Sequence, residues 1–182
     1  MTTSALIILH PGFEEIEAIT PIDLLTRAGV DVTIAGLNEA GLVTGKNGVQ
    51  VQTEITLAAV AEQSFDAVVL PGGPGIFEIR KHPELCQCLQ AQAARNGLIG
   101  CICAAPLLLL DAGLIGELQY TAFPATKDEL PNAQSCPVVV DGKFVTSRGA
   151  GTATEFGLAL IEQLLGTAKS AEIAESICWP HN

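Results

Sequence analysis

The sequence has few of the residues that bind nucleic acid and no stretch that could cross a membrane. Aromatic residues make up only 4% of the 182-residue chain, and 9 basic residues compare with 20 acidic ones, for a formal net charge of −11. Nucleic-acid binding needs clustered Lys and Arg, and single-strand binding also needs aromatic rings for base stacking. No apolar run reaches the ~18 residues of a bilayer span. We therefore expect neither a nucleic-acid nor a membrane partner.

The N-terminus also lacks the features of a secretory signal, which combines a basic segment, an apolar segment and a cleavage site. Instead, the first residues, Met1–Leu9, contain a short apolar run that is typical of a strand. We therefore expect a cytoplasmic protein.

The cysteines lack the C-x₂-C spacing of a zinc site. They occur as two C-x-C pairs and two isolated residues, namely Cys86, Cys88, Cys101, Cys103, Cys136 and Cys178. A disulfide framework is rare in a cytoplasmic chain of this size. We interpret all of them except Cys103 as small buried hydrophobic residues or bystanders. With no nucleotide-binding fingerprint either, we predict no metal and no cofactor.

The chain is rich in apolar residues that alternate between strand and helix patterns. Its composition is 48% hydrophobic with a mean hydropathy of +0.40, enough for one substantial core, so we expect residues 1–182 to form a single domain. Strands spaced by helices predict an α/β fold with a mostly parallel, doubly wound sheet covered by helices on both faces. The predicted strands of this sheet are Ala5–Leu9, Val30–Ala35, Phe65–Leu70 and Leu98–Ile102, and the helices are Phe13–Gly29, Glu84–Arg95, Gly151–Leu165 and Lys169–Cys178.

Turn signals add smaller elements. Asn47–Gly48 and Asp141–Gly142 are typical hairpin turns. They predict one hairpin over Leu42–Gln52 and a second between Pro137 and Thr146. A short helical turn is expected within Thr56–Glu62, and a short strand over Gln119–Phe123.

The segment Asn96–Leu110 is the one around which the chain is arranged. It predicts a buried strand over Leu98–Ile102, a sharp corner at Cys103, and a helix that starts with Ala104. A side chain at such a corner lies at the C-terminal edge of the sheet, near unpaired N–H groups at the positive end of a helix. We therefore expect the Cys103 thiolate to be stabilised and exposed.

Ligands of a doubly wound sheet bind beyond the C-terminal ends of the strands, where loops meet. Three loops converge there: His10–Glu17, Pro71–Gly75 and the Cys103 corner. Cys103 is the candidate nucleophile because the thiolate is the reactive form of cysteine. The alternative interpretation is one more buried cysteine.

Backbone N–H groups could hold negative charge beside this cysteine. Those of Gly72, Gly73 and Ala104 could form an oxyanion pocket, since glycine allows close backbone approach. On its own, a glycine-rich loop is also compatible with simple packing.

Carboxyl groups follow on the first loop. Glu17 could exchange a proton with the thiol, because a carboxyl in a partly apolar site keeps its proton more easily; the alternative is a solvated helix residue. Glu14 and Glu15 are interpreted as solvated residues near the positive end of the first helix.

Five motifs follow one another along the chain: Gly12–Glu17, Val68–Gly73, Cys101–Pro106, Phe123–Asp128 and Thr146–Thr152. In this order they resemble the motifs of the ThiJ/PfpI (DJ-one) family. Within it, the sequence is similar to the YajL-like branch over nearly its whole length. The resemblance implies a flavodoxin-like sandwich of the class I glutamine amidotransferase type, an elbow nucleophile at Cys103 with Glu17 as its hydrogen-bonding acid, and a homodimer.

The resemblance also implies two kinds of function. Members of this branch are described as glyoxalases or deglycases that act on methylglyoxal or early glycated adducts without a cofactor, and as redox sensors or chaperones in oxidative stress. Small reactive carbonyls or glycated proteins are the partners of the enzyme hypothesis, in which Cys103 attacks a carbon while Glu17 moves protons. In the sensor hypothesis, the same thiolate is oxidised to a sulfinate.

Three positions refine these expectations. Phe123 occupies a position where part of the family has a histidine, so a Cys–His dyad is not available there. His10 is a candidate auxiliary base because it ends the first strand near the same edge; the alternative is a packing or surface histidine. Ala104 stands where the family's peptidase branches need a histidine, so we do not expect a peptidase.

Overall fold

The computed structural model describes residues 2–180, and their backbone alternates between strands and helices. The strands are β1 (Ser4–Leu9), β2 (Asp31–Gly36), β3 (Gly41–Thr44), β4 (Gln50–Thr53), β5 (Ile55–Thr56), β6 (Ala67–Leu70), β7 (Leu98–Ile102), β8 (Val138–Asp141) and β9 (Phe144–Ser147). The helices are α1 (Glu15–Arg27), α2 (Pro83–Ala94), α3 (Pro106–Asp111), α4 (Ala153–Leu165) and α5 (Thr167–Ser176).

Seven strands form one sheet in the order β5-β2-β1-β6-β7-β9-β8. All neighbours in it are parallel except β8, which pairs antiparallel with β9. Every residue of β6 and β7 is buried, as expected for central strands covered on both faces. β3 and β4 form a separate antiparallel hairpin. The predicted mostly parallel, doubly wound α/β fold is confirmed.

The helices pack in two groups. α1 packs against α4, with α5 beside it, and α2 packs against α3. Gly157 permits the close approach of α1 and α4, because a Cβ there would lie 2.6 Å from Leu24 Cδ1. No helix among residues 2–180 is long and apolar enough to cross a membrane.

The predicted strand over Gln119–Phe123 is wrong. Only Thr121 makes an isolated bridge, to Gln134, and its backbone N–H donates to the side chain of Thr146 rather than to a neighbouring strand. Its hydroxyl donates to carbonyl oxygens of the facing loop, and Pro124 then ends any ladder because proline lacks an N–H. Side-chain hydrogen bonds have replaced strand pairing here.

Three central strands end at the same edge of the sheet. β1, β6 and β7 run parallel, so their last residues are followed on one side by His10, Pro71 and Cys103. This topology brings together the three loops that were expected to meet.

Candidate active site

Cys103 occupies a strained corner directly after β7. Its φ of 64° lies in the left-handed region that non-glycine residues seldom adopt. Two hydrogen bonds hold it there: its N–H donates to the Ser147 carbonyl and its own carbonyl accepts the Phe123 N–H, both at 2.8 Å. α3 begins only at Pro106, so two residues separate the cysteine from the helix.

Gly72 lies between Cys103 and Glu17. A Cβ on Gly72 would lie 2.6 Å from Cys103 Cβ and 2.7 Å from Glu17 Oε2. Contacts this short on both sides leave no room for a side chain. The structure therefore brings the predicted cysteine and acid together across a residue that has to be glycine.

Glu17 is a buried acid with an unusual ionisation. Its side chain is 1% exposed, and Oε2 accepts the Gly72 N–H at 2.9 Å. Burial raises the pKa of Glu17 to about 7, and the charge of Glu14 acts in the same direction, against hydrogen bonds from Cys103 and Gly72. Glu17 can therefore gain or lose a proton near neutral pH.

The environment of Cys103 differs from the expectation that its thiolate is exposed and stabilised. The residue is only 9% exposed, and burial together with the Glu17 charge raises the pKa of the thiol to about 12. The N–H groups of Gly73 and Ala104 act in the opposite direction. Because part of the increase comes from ionised Glu17, a protonated Glu17 removes it. The ionisation of each group therefore depends on that of the other.

Glu14 and Glu15 were interpreted as solvated, and the structure shows that both are buried. Glu14 caps α1, its carboxylate accepting the Glu17 N–H at 2.9 Å. Glu15 accepts the backbone N–H of Asn47 at 2.6 Å, which fastens the β3–β4 hairpin to the start of α1. Both carboxylates thus satisfy backbone donors instead of water.

Two neighbours of the site were missed by sequence reasoning. The charge of Glu14 raises the pKa of Glu17. Glu14 stands three residues before Glu17, a spacing typical of a helix N-cap, and this spacing could have indicated that the two residues are in contact. Lys46 lowers the pKa of Glu17 by its positive charge. No local pattern could have indicated Lys46, because the hairpin brings it to the site.

His10 is completely buried at the end of β1. Its Nδ1 lies 3.1 Å from the Pro11 carbonyl oxygen and its Nε2 lies 3.4 Å from that of Pro71. Burial lowers its pKa, against these two carbonyl contacts. The structure thus gives the imidazole backbone partners and does not bring it to the thiol.

Phe123 forms an apolar wall near the pair. Its side chain is 44% exposed, and a Cβ placed on Gly149 would lie 3.7 Å from Phe123 Cδ2 and 3.9 Å from Glu17 Oε1. The ring and the carboxyl therefore border the same small space. Among residues 2–180, no group of three or more His, Cys, Asp or Glu side chains is placed to hold a metal ion.

These features define a class of α/β proteins with a doubly wound parallel sheet. At the C-terminal edge of the sheet, such a protein has a strained cysteine corner, a buried acid and a double-glycine loop. The chain belongs to the DJ-1/PfpI family, whose model matches residues 3–163.

Individual relatives are similar over all or nearly all of their lengths. Protein dj-1beta of Drosophila melanogaster is 42% identical over 100% of both chains, and its crystal structure superposes with a TM-score of 0.94. A glutathione-independent glyoxalase of Caenorhabditis elegans, DJR-1.2, is 35% identical over 96% of each chain. The structure of oxidized Toxoplasma gondii DJ-1 has a TM-score of 0.94 at 32% identity and covers 99% of this chain and 100% of that one.

Proposed function

We propose that this protein is a cofactor-independent glyoxalase that acts on small reactive carbonyls through Cys103 and Glu17. The observation that carries the proposal is the contact of a buried acid, with a pKa of about 7, and a cysteine across Gly72. The similarity to a glutathione-independent glyoxalase over nearly the whole chain supports the same reaction.

The first step forms a carbon–sulfur bond. With Glu17 protonated, the Cys103 thiolate attacks the aldehyde carbon of methylglyoxal, and the carbonyl oxygen takes the proton of Glu17. The N–H groups of Gly73 and Ala104 face the reacting sulfur and lie near the developing oxyanion. The product is a hemithioacetal, and Glu17 is left as a carboxylate.

The remaining steps move two protons and add water. Glu17 removes the proton from the former aldehyde carbon, giving an enediolate, and returns it to the neighbouring carbon. The hydroxyl proton passes to the oxygen of that neighbouring carbon, so that a lactoyl thioester forms on Cys103. Water then cleaves the thioester to lactate and restores the thiol. The aldehyde carbon is oxidised and the ketone carbon reduced, so no external electron acceptor is needed.

The same chemistry extends to early glycated adducts. Cys103 would attack the carbon that bears the adduct nitrogen, the carbon–nitrogen bond would break, and the amine would leave with a proton from Glu17. This deglycase activity requires the same two residues as the glyoxalase.

The test is lactate production from methylglyoxal by wild type, Cys103→Ala and Glu17→Ala. We expect each variant to lose at least about 100-fold in kcat/KM while it remains folded. Cys178→Ala removes an exposed cysteine as the matched control and should react like wild type. Turnover that survives in Cys103→Ala would contradict the proposal.

A redox sensor or chaperone is the second candidate, favoured by the similarity to a DJ-1 structure described as oxidized. In this function, peroxide oxidises the Cys103 thiolate to a sulfinate, which the Gly73 and Ala104 N–H groups stabilise. Mass spectrometry after mild peroxide should then find two added oxygens on Cys103. The unoxidised protein should produce no lactate from methylglyoxal. Oxidation mainly at another cysteine would contradict this candidate.

We also propose a cytoplasmic homodimer. Ile16 and Ile19 are three residues apart on α1 and are 53% and 41% exposed, so they form an apolar face beside the hairpin that Glu15 fastens. Light scattering should give twice the chain mass for wild type and the chain mass for Ile16→Glu. Wild type of single-chain mass would contradict the dimer.

A further inference from the structure

The position of His10 indicates a role other than that of a base. Its ring is fully buried, and both nitrogens face carbonyl oxygens, which can only accept hydrogen bonds. The Pro71–Gly75 loop packs directly against the ring, since a Cβ on Gly75 would lie 2.6 Å from His10 Nδ1. The imidazole thus contacts the loop that faces Glu17 and Cys103.

One peptide group of this loop connects His10 to Glu17. The Pro71 carbonyl and the Gly72 N–H are the two ends of a single planar peptide. The carbonyl end meets His10 Nε2 at 3.4 Å, and the N–H end donates to Glu17 Oε2 at 2.9 Å. Because the group is planar, fixing the carbonyl also fixes the direction of the N–H.

The next peptide group repeats this arrangement. The Gly72 carbonyl accepts the backbone N–H of Glu14 at 3.0 Å, and the Gly73 N–H interacts with the Cys103 thiol. Two successive peptides are therefore held at their carbonyl ends and present their N–H groups to the acid and the cysteine. The helix start holds one of them, and a side chain holds the other.

The buried contact determines which nitrogen carries the proton. Pro71 is buried, and no other donor to its carbonyl occurs in the described part of the chain. A buried carbonyl without a donor is costly, and Pro71 is buried whereas Pro11 is exposed. Because burial lowers the pKa of His10, the ring holds a single proton at neutral pH, and this proton belongs on Nε2.

We propose that His10 is a positioning residue whose Nε2–H holds the Pro71 carbonyl and so directs the Gly72 N–H at Glu17, the acid that contacts Cys103. Its effect on turnover rests on the proposed function. Its effect on the ionisation of the Glu17–Cys103 pair does not, and can be measured without a substrate.

The test compares two amides of nearly equal size. In His10→Gln the amide nitrogen reaches the place of Nε2, whereas in His10→Asn it reaches only that of Nδ1; His10→Met has no donor. The readout is the rate of Cys103 alkylation by iodoacetamide as a function of pH. For Asn and Met we expect the midpoint of the profile to move to higher pH and alkylation above it to be up to about tenfold faster. Losing a hydrogen bond to the charged form raises the pKa of Glu17, and a protonated Glu17 no longer raises the pKa of Cys103. The Gln variant should match wild type.

Equal alkylation profiles for all three variants, or an Asn variant that matches wild type as well as Gln does, would overturn the proposal. In lactate production, Asn and Met should lower kcat and leave KM unchanged, because His10 does not touch the substrate. If wild type makes no lactate but alkylation still separates the variants, the glyoxalase proposal fails and the role of His10 stands. If lactate forms and alkylation does not separate them, only the role of His10 fails.

A measurement on the intact protein decides the question even if the variants do not fold. Long-range ¹H–¹⁵N spectra show which ring nitrogen of a histidine is protonated. The chain has three histidines, and replacing His82 and His181 in turn by Gln would assign the signals of each. We expect His10 to carry its proton on Nε2 at neutral pH. A bare Nε2 with a proton on Nδ1 would overturn the proposal.

Discussion

Glu17 Oε2 accepts the Gly72 N–H at 2.9 Å, and the missing side chain of this glycine leaves the space in which the carboxyl approaches Cys103. The same residue therefore supplies a donor and provides the room for the contact. A donor on the charged form lowers an acid's pKa, so Gly72 also limits how far burial can raise it.

Gly72→Ala tests this relationship. The added methyl would lie 2.6 Å from Cys103 Cβ and 2.8 Å from the Ile102 carbonyl oxygen, and a backbone atom cannot move aside as a flexible side chain can. We expect the free energy of unfolding to fall by about 2 kcal/mol and lactate production to fall by more than about 100-fold.

The control for this variant is Gly151→Ala, since a Cβ on Gly151 meets nothing within 4 Å. It should change stability by less than about 0.5 kcal/mol. A Gly72→Ala variant as stable and active as the Gly151 control would show that the two side chains do not meet across Gly72.

Glu17→Gln should stabilise the protein increasingly as pH rises. The pKa of Glu17 is raised from 4.5 to about 7, so its contribution to stability is fully present below 4.5 and is lost as pH rises through 7. This loss is roughly 3 kcal/mol, and Gln, which stays neutral, does not suffer it. Urea unfolding at about pH 4 and about pH 8 should show the difference between variant and wild type growing by that order.

Glu54→Gln, which removes an exposed carboxylate, is the matched control for this pH series. Its difference from wild type should stay nearly constant over the same range. An unchanged difference for Glu17→Gln would mean that Glu17 ionises in the folded protein as it does in the unfolded chain.

The sequence allowed the sheet and the meeting of loops at its edge to be predicted, because parallel strands place their C-terminal ends together whatever the loops do. Cys103 follows β7 directly, and the double glycine of Gly72 and Gly73 begins one residue after β6, so strand positions alone located them. Burial could not be predicted in the same way. Glu14 and Glu15 look solvated in sequence and become buried because they bind backbone N–H groups, one of them on the docked hairpin.

The ionisation of the site was the other feature outside the reach of the sequence. A corner cysteine near a helix start suggested a stabilised thiolate, but α3 starts two residues too late and the acid lies too close. Both facts depend on distances of a few ångströms between segments far apart in the chain. Periodicity and spacing carry no information on such distances.

Asp111 should be a strong determinant of stability. Its side chain is 3% exposed and binds the Arg80 guanidinium, with Nη2 to Oδ1 at 2.7 Å, while Oδ2 accepts the Lys81 N–H at 3.1 Å. Asp111→Asn removes the negative charge that balances the nearly buried Arg80 guanidinium. We therefore expect the free energy of unfolding, measured with urea at neutral pH, to fall by about 3 kcal/mol.

Glu129→Gln provides the comparison, because Glu129 binds the same guanidinium but is 50% exposed. Its loss should be much smaller than that of Asp111→Asn, as for other exposed ion pairs. Although burial raises the pKa of Asp111, bonds to Arg80 and Lys81 lower it on balance. Its contribution is therefore present above the ordinary pKa of 3.8 and is lost as pH falls through the lowered value. Equal losses for the two variants at neutral pH would contradict this ranking.

The left-handed backbone of Cys103 should cancel the usual cost of replacing Ala by Gly. At an ordinary buried strand position, replacing Ala by Gly costs about 1 to 2 kcal/mol, because a methyl contact is lost and the unfolded chain gains freedom. At Cys103, with φ at 64°, glycine also relieves about 1 to 2 kcal/mol of strain. The Cys103→Ala and Cys103→Gly variants should therefore unfold with free energies within about 0.5 kcal/mol of each other.

Cys101 is the matched site for this comparison. It lies in the middle of β7, is completely buried like its neighbours, and is not among the residues of positive φ. Cys101→Gly should be less stable than Cys101→Ala by the full 1 to 2 kcal/mol or so. Because each pair lacks the sulfur, the contrast between the two sites isolates the backbone from the chemistry of the thiol. An equal cost of glycine at both sites would mean that the backbone at Cys103 is not strained. The surrounding hydrogen bonds would then have no strain energy to offset.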